Sequence, residues 1–479
     1  MFHTRRHFGI FAAVFLFVGL LMSINAETVY PGWEPPSTIS RDECVKLSQA
    51  VLATPEIKLK KDEDIFRIRA VEMDWDIGVM VYEPVDASKI PAGADGRKVG
   101  VFLLHGGSGD YRSMEKLALL LAGKFGYKVV SMTYPGRLYL QDPSRNWPGD
   151  TFNPDGTVRT PIWKKDELIT PDQYDVIKDL SQRSRYGTRV LAKAKPGTTF
   201  YYRLAAWPVA LEEGMKEACR RHLPPGVYSI YVNGHSTGGP LVSILTQRVS
   251  NIAGTVGIEG SPFGYISRKK EQYVWLGKDS WKKGETPDKP VFKDPWDELS
   301  IRSWRDIARY RGPEALGQEG PKALLRLPML IEEIFEDWNE EKSQPQFKAE
   351  YVISRSDVKN LTEAAQVTAN RLKMDPKETA ALVERYLGYT RELSGPGVKP
   401  VPPLFLGIAK DSGDHSREVY EDVVIPMYGA MNPAPKVCVV QFGAGVHGYT
   451  APEKDLPLGV APAVTKLWND AIVGGFFLK

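Results

Sequence analysis

The sequence has little cysteine, little excess charge of either sign and, past its first residues, no long apolar run. Three cysteines, Cys44, Cys219 and Cys438, in 479 residues cannot staple a disulfide framework, and their spacing fits no metal knuckle. Stability must therefore come from packing. Lys and Arg number 62 against 59 Asp and Glu, a balance that leaves no basic footprint for nucleic acid. No internal repeat is present. What the chain does have is 42% hydrophobic and 25% charged residues, enough to bury at least one large core.

Residues 1–26 read as a secretory signal: Arg5 and Arg6 make a positive start, Phe8 to Ile24 is apolar and uncharged, and Ala26 offers a small residue for cleavage. Thr4 to Phe8 also resembles a bacterial twin-arginine signal, an address for proteins exported already folded. Folding before export suits a chain with so few cysteines. The expectation is an exported protein, periplasmic or extracellular. An uncleaved N-terminal anchor is the alternative, because about 17 apolar residues is the lower limit for spanning a bilayer.

Past a Pro-rich segment, 27–62, with one helix expected over Arg41 to Ala53, the hydropathy pattern alternates between two periods. Asp64 to Tyr82 reads as antiparallel strands with one face toward water. Val99 to Leu104 is an unbroken apolar run, the signature of a strand covered on both faces. A helical stretch, Met114 to Phe125, and a β-branched run, Lys128 to Thr133, follow. The same grammar resumes with helix Leu204 to Arg221, strand Val227 to Val232, helix Pro240 to Val249 and strand Gly254 to Ile258. Leu404 to Ile408, a helix over Ser416 to Ile425, Val437 to Phe442 and a helix over Ala461 to Ile472 complete the series. Strand and helix in alternation indicate a parallel sheet with right-handed crossovers. Two insertions interrupt it. Residues 138–199 are rich in Pro, Trp and Asp with little periodicity, and 261–400 read as largely helical, with amphipathic stretches at Leu325 to Trp338 and Leu372 to Tyr389.

Gly234-His235-Ser236-Thr237-Gly238 is a G-x-S-x-G sequence between a predicted strand and a predicted helix, the setting of a nucleophile elbow. Glycines flank the Ser because a neighbouring Cβ would collide with adjacent backbone. The helix N-terminus and the N–H of Thr237 would then face the point where negative charge develops on an attacked carbonyl. His105 to Asp110 follows the buried strand directly, at the sheet edge where active sites assemble. The N–H of Gly107 is the candidate second oxyanion donor. A phosphate loop is disfavoured because no G-K-[ST] follows, and an ordinary βα turn is the alternative.

A general base emerges by elimination. His3 and His7 lie in the signal, His105 and His235 occupy the loops beside the donors and the nucleophile, and His222 ends a helix whose dipole explains it. His415 and His447 are left. His447, in the loop after the last core strand, reaches the same edge as Ser236 and is the candidate base. The acid stays open between Asp411, after the strand Leu404 to Ile408, and Glu259, at the end of the apolar strand Gly254 to Ile258, with Asp414 as a third choice.

Together these motifs, His105 to Gly107, Gly234 to Gly238 and the late His447, resemble the α/β-hydrolase superfamily. The resemblance covers roughly 65–137, 200–260 and 401–479 and leaves both insertions unmatched. It implies an α/β-hydrolase fold with an eight-stranded, mostly parallel sheet flanked by helices. It also implies a hydrolase core in two parts, 27–260 and 401–479, and a helical cap over 261–400. The implied activity is cleavage of a small-molecule ester through an acyl-serine intermediate, with no metal, organic cofactor, nucleic acid or membrane partner. A peptidase or amidase of the same fold and a non-catalytic binding protein are the competing readings. Some secreted bacterial esterases of this fold carry a Glu as the acid after the strand that follows the elbow, and Ile258-Glu259-Gly260 looks similar.

Overall fold

The structure is a computed structural model. It describes residues 33–70, 73–106, 110–139, 162–167, 169–179, 190–194, 198–236, 238–258, 399–412 and 433–478. Four short strands between 266 and 347 and residues 417, 420, 421, 425 and 428 are described as well. The segment expected to be a signal, residues 1–26, together with Gly107, Thr237, Glu259, Asp414, His415, the helix expected over Leu372 to Tyr389 and most of that over Ser416 to Ile425, lies outside the described residues.

Strand β1 (Thr38–Ile39) leads into helix α1 (Arg41–Ala53). Ser40 caps that helix reciprocally: its Oγ accepts the Glu43 N–H while the Glu43 carboxylate accepts the Ser40 N–H. Strands β2 (Leu59–Ala70) and β3 (Met73–Pro84) form the expected antiparallel pair. Next come β4 (Lys98–Leu104), α2 (Glu115–Phe125) and β5 (Lys128–Met132), then β6 (Tyr174–Asp179) and β7 (Val190–Ala194). After these the chain runs through α3 (Thr199–His222), β8 (Tyr228–Gly234), α4 (Gly238–Arg248) and β9 (Ile252–Ile258). The C-terminal part contains β14 (Leu404–Ala409), β15 (Val437–Phe442), β16 (Pro457–Val460) and α5 (Ala461–Val473).

Nine strands make one sheet in the order β1-β15-β14-β9-β8-β4-β5-β3-β2. All neighbours are parallel except β3, which runs against both β2 and β5. The implied eight-stranded sheet gains one edge strand, the two-residue β1, paired with Gln441 and Phe442. A strand that short leaves no periodicity to read.

Alternate residues of β4 serve opposite faces. Val99, Val101 and Leu103 join Leu117 and Leu121 of α2 and Leu467 and Trp468 of α5 in one core. Helices α3 and α4 cover the other face, where they pack on β2, β3 and β5 and on β8 and β9. From β4 the chain crosses to β5 on one side, whereas from β8 it crosses to β9 on the other. The loops leaving the carboxyl ends of β4 and β8 therefore lie where the strand order reverses direction, the place at which sites form in sheets of this kind.

The insertions depart from the sequence reading in two places. Within 138–199, β6 and β7 pair as an antiparallel hairpin that Pro, Trp and Asp content did not signal. Segment 162–167 docks through Arg203 of α3. Its guanidinium lies 4.6 Å over the Trp75 ring, donates to Glu167 Oε1 at 2.6 and 3.2 Å, and donates to the Asp74 carbonyl at 2.5 Å. Within 261–400 the described residues form two hairpins, β10 (Ile266–Lys269) with β11 (Gln272–Trp275) and β12 (Phe335–Asn339) with β13 (Gln344–Phe347). The helix expected over Leu325 to Trp338 is thus corrected at its end. Phe335 and Trp338 stand three apart, which fits a helical turn, but aromatics also favour strands and the register pairs Phe335 with Phe347.

Candidate active site

Strand β8 ends at Gly234, and the chain then turns sharply into α4. The His235 N–H donates to the Leu104 carbonyl at 2.9 Å, which fastens the turn to the end of β4. The Gly238 N–H donates to the His235 carbonyl at 2.8 Å, and the Gly239 N–H to the Ser236 carbonyl at 2.9 Å. Ser236 itself has φ 52°, a left-handed conformation that a non-glycine residue adopts only when its surroundings impose it.

The flanking glycines follow from sterics. A Cβ at Gly234 would overlap Val242 Cγ2 and stand 2.5 Å from the Gly238 carbonyl oxygen. One at Gly238 would stand 2.8 Å from the Leu104 carbonyl oxygen and 3.1 Å from Tyr134 Oη. No side chain fits at either point without moving backbone.

The loop after β4 lies against this turn, since a Cβ at Gly106 would reach the Ser236 Cβ at 3.5 Å. His105 holds the loop from within. Its Nδ1–H donates to the Gly106 carbonyl at 2.7 Å, and its Nε2 accepts the Tyr134 N–H at 3.3 Å. That pattern requires a neutral ring. Complete burial, helped by the charge of Arg137, keeps its pKa well below the usual histidine range. Tyr134 adds a bond from its hydroxyl to the His105 carbonyl at 2.6 Å and a ring contact with centroids 3.9 Å apart.

His447 comes to the same place from the far side of the sheet. Its ring lies against that of His235, centroids 4.8 Å apart and planes tilted by 31°. The loop carrying it is laced to the loop after β14: the Asp411 N–H donates to the Gly445 carbonyl at 3.0 Å and the Lys410 N–H to the Ala444 carbonyl at 3.3 Å. The Glu453 carboxylate accepts the Gly445 N–H at 2.7 Å and pairs with Arg41 at 2.8 Å. The structure thus brings Ser236, His447 and the backbone of Asp411 to one edge, while the Asp411 side chain is exposed. His222 is elsewhere, its Nε2 2.9 Å from Asp64 of β2.

Tyr134 and Glu453 are site residues the sequence reading did not single out. Tyr134 was traceable, since it follows the carboxyl end of the strand beside β4. Glu453 carried no local signal. Among the described residues, no group of three or more His, Cys, Asp or Glu is gathered as a metal site would require.

No protein-family model matches the sequence, and no curated protein matches it. Among solved structures the chain is similar to a vibralactone cyclase, at 10% identity and a TM-score of 0.35 over 97% of this chain and 95% of that one. It is similar to a thermostable esterase from Pseudomonas putida at 14% identity and a TM-score of 0.31, covering 93% and 92%. A lipase in its open form matches at 11% identity and a TM-score of 0.35, covering 86% and 99%. Similarities of this size speak to neither substrate nor mechanism. The strand order, the crossovers and the turn at Ser236 define the architecture, which is an α/β-hydrolase fold.

Proposed function

We propose that this protein is a serine hydrolase that cleaves carboxylic esters through an acyl-serine intermediate. One observation carries the reading: Ser236 sits in a left-handed strand-to-helix turn, and the loop of His447 packs against that same turn. The Ser236 hydroxyl attacks the ester carbonyl as His447 takes its proton. Main-chain N–H groups of Thr237 and Gly107 receive the oxyanion. His447 then protonates the departing alcohol and activates the water that releases the acid. A carboxylate, Asp411 or Glu259, holds the His447 tautomer and offsets the imidazolium charge.

Turnover of p-nitrophenyl esters of graded chain length, set against aminoacyl anilides, tests the reaction class. Ester turnover is expected to exceed anilide turnover and to fall by about a thousandfold or more in Ser236→Ala and in His447→Ala. Faster anilide cleavage would reject the ester assignment, and unchanged ester turnover in Ser236→Ala would reject the serine mechanism.

A further inference from the structure

The proposed chemistry leaves His235, the residue before the nucleophile, without a part. Yet its ring is wedged between the two loops that frame Ser236. Toward the loop after β4, an added Cβ at Gly106 would stand 3.0 Å from His235 Nδ1; toward the His447 loop, one at Gly448 would stand 3.2 Å from its Nε2. Gly448 also has φ 91°, a backbone conformation that favours glycine, and a Cβ there would crowd the His235 ring. Between the two glycines the imidazole lies against His447, centroids 4.8 Å apart and planes tilted by 31°. Its Nε2 is buried with no hydrogen-bond partner among the described residues.

We propose that His235 is a positioning residue for the general base, a neutral aromatic plate that sets the plane of the His447 imidazole and shields it from water. The inference rests on the assignment of His447 as base to Ser236 and adds what orients that base. Burial, and then the proximity of His447, push the His235 pKa down to about 3, so the plate stays uncharged beside the imidazolium that forms in the reaction. Protonated, it would repel that cation. Among the described residues, the titratable and charged groups on the elements packed around the pair include His105, whose ring is neutral, Arg137, whose charge bears on His105, Asp411, whose N–H bonds the Gly445 carbonyl, and Glu453, which accepts the Gly445 N–H.

The test uses the full chain and compares wild type, His235→Ala and His235→Phe, with folding checked by circular dichroism and kcat, KM and the pH dependence of kcat/KM measured on one p-nitrophenyl ester. Loss of one aromatic contact is expected to lower kcat about 3- to 10-fold in the Ala variant, with little change in KM. The acid limb of its pH profile moves upward, because water reaching the imidazole stabilises the protonated form. His235→Phe, which keeps the plate and discards both nitrogens, recovers most of kcat and returns the acid limb. A folded Ala variant with wild-type kcat and an unmoved acid limb overturns the proposal. So does a folded Phe variant as impaired as Ala, since an aromatic face at this position would then not suffice to orient the base. Wild-type turnover that survives Ser236→Ala, or is absent, defeats the serine reading and the plate with it; Ser236-dependent turnover with an unaffected His235→Ala defeats the plate alone.

Discussion

Replacing Gly234 by Ala adds a single methyl group at the tightest point of the turn. The new carbon would overlap Val242 Cγ2 and lie 2.5 Å from the Gly238 carbonyl oxygen. Non-bonded carbons rest about 3.5–4.0 Å apart, so something must move by about 1 Å. Val242 is a side chain and can yield; Gly238 is backbone of the turn that carries Ser236. Overpacking of this kind costs about 1–3 kcal/mol of stability, and a displacement of about 1 Å at a reacting group costs about a hundredfold in rate. The two clashes can be separated by a double-mutant cycle in urea. On a Val242→Ala background, Gly234→Ala is expected to cost about 1 kcal/mol less stability, because one of its two obstacles is gone. The loss in kcat/KM on a p-nitrophenyl ester stays, because the carbonyl remains. A Gly234→Ala protein within twofold of wild-type activity and of unchanged stability would refute the steric reasoning, and so would full recovery of activity in the double variant.

Arg203 and Glu167 form a buried pair, with side chains 4% and 14% exposed. Arg203→Met is expected to cost about 3–5 kcal/mol by leaving the carboxylate alone, while Arg203→Met with Glu167→Gln recovers at least half, as read from urea unfolding. His235 takes up a proton near pH 3 in the folded chain, against an ordinary value of 6.5. Between these values the unfolded chain binds more protons, so stability rises with pH and falls as the solution is acidified below about 6.5. His105 acts in the same sense. His235→Phe is expected to flatten the plot of unfolding free energy against pH by up to about 1.4 kcal/mol per unit between pH 4 and 6; an unchanged slope would contradict the neutral ring. For the acid, Asp411→Asn and Glu259→Gln are compared at saturating ester: the variant that loses orders of magnitude in kcat identifies the partner of His447, and equal, small losses in both would exclude each.

The central strands were legible because their covering on both faces writes an unbroken apolar run, as in Val99 to Leu104. Their ends shifted by one or two residues. Helix α3 begins at Thr199 rather than Leu204, because its first turn, Thr199 to Arg203, is rich in β-branched and aromatic residues that fit a strand as readily as a helix. Ser236 was legible because the glycines beside it mark a steric demand that is local to five residues. His447 was found only by its place after the last core strand. The contact of His235 with His447, the hold of Tyr134 on His105 and the bond from Gly445 to Glu453 depend on which loops meet across the sheet, and short-range pattern does not encode such meetings. Hairpin β6–β7 and strand β12 were missed for a related reason: in short elements the aromatic and polar residues fit either period, and pairing decides.

Reaction of the folded protein with a fluorophosphonate, followed by intact mass and peptide mapping, tests most directly whether His447 makes the Ser236 hydroxyl nucleophilic. One adduct per chain is expected, on the peptide containing Ser236, absent in Ser236→Ala and formed far more slowly in His447→Ala. A folded wild-type chain that takes up no label, carries it elsewhere, or labels equally fast without His447 would contradict that claim.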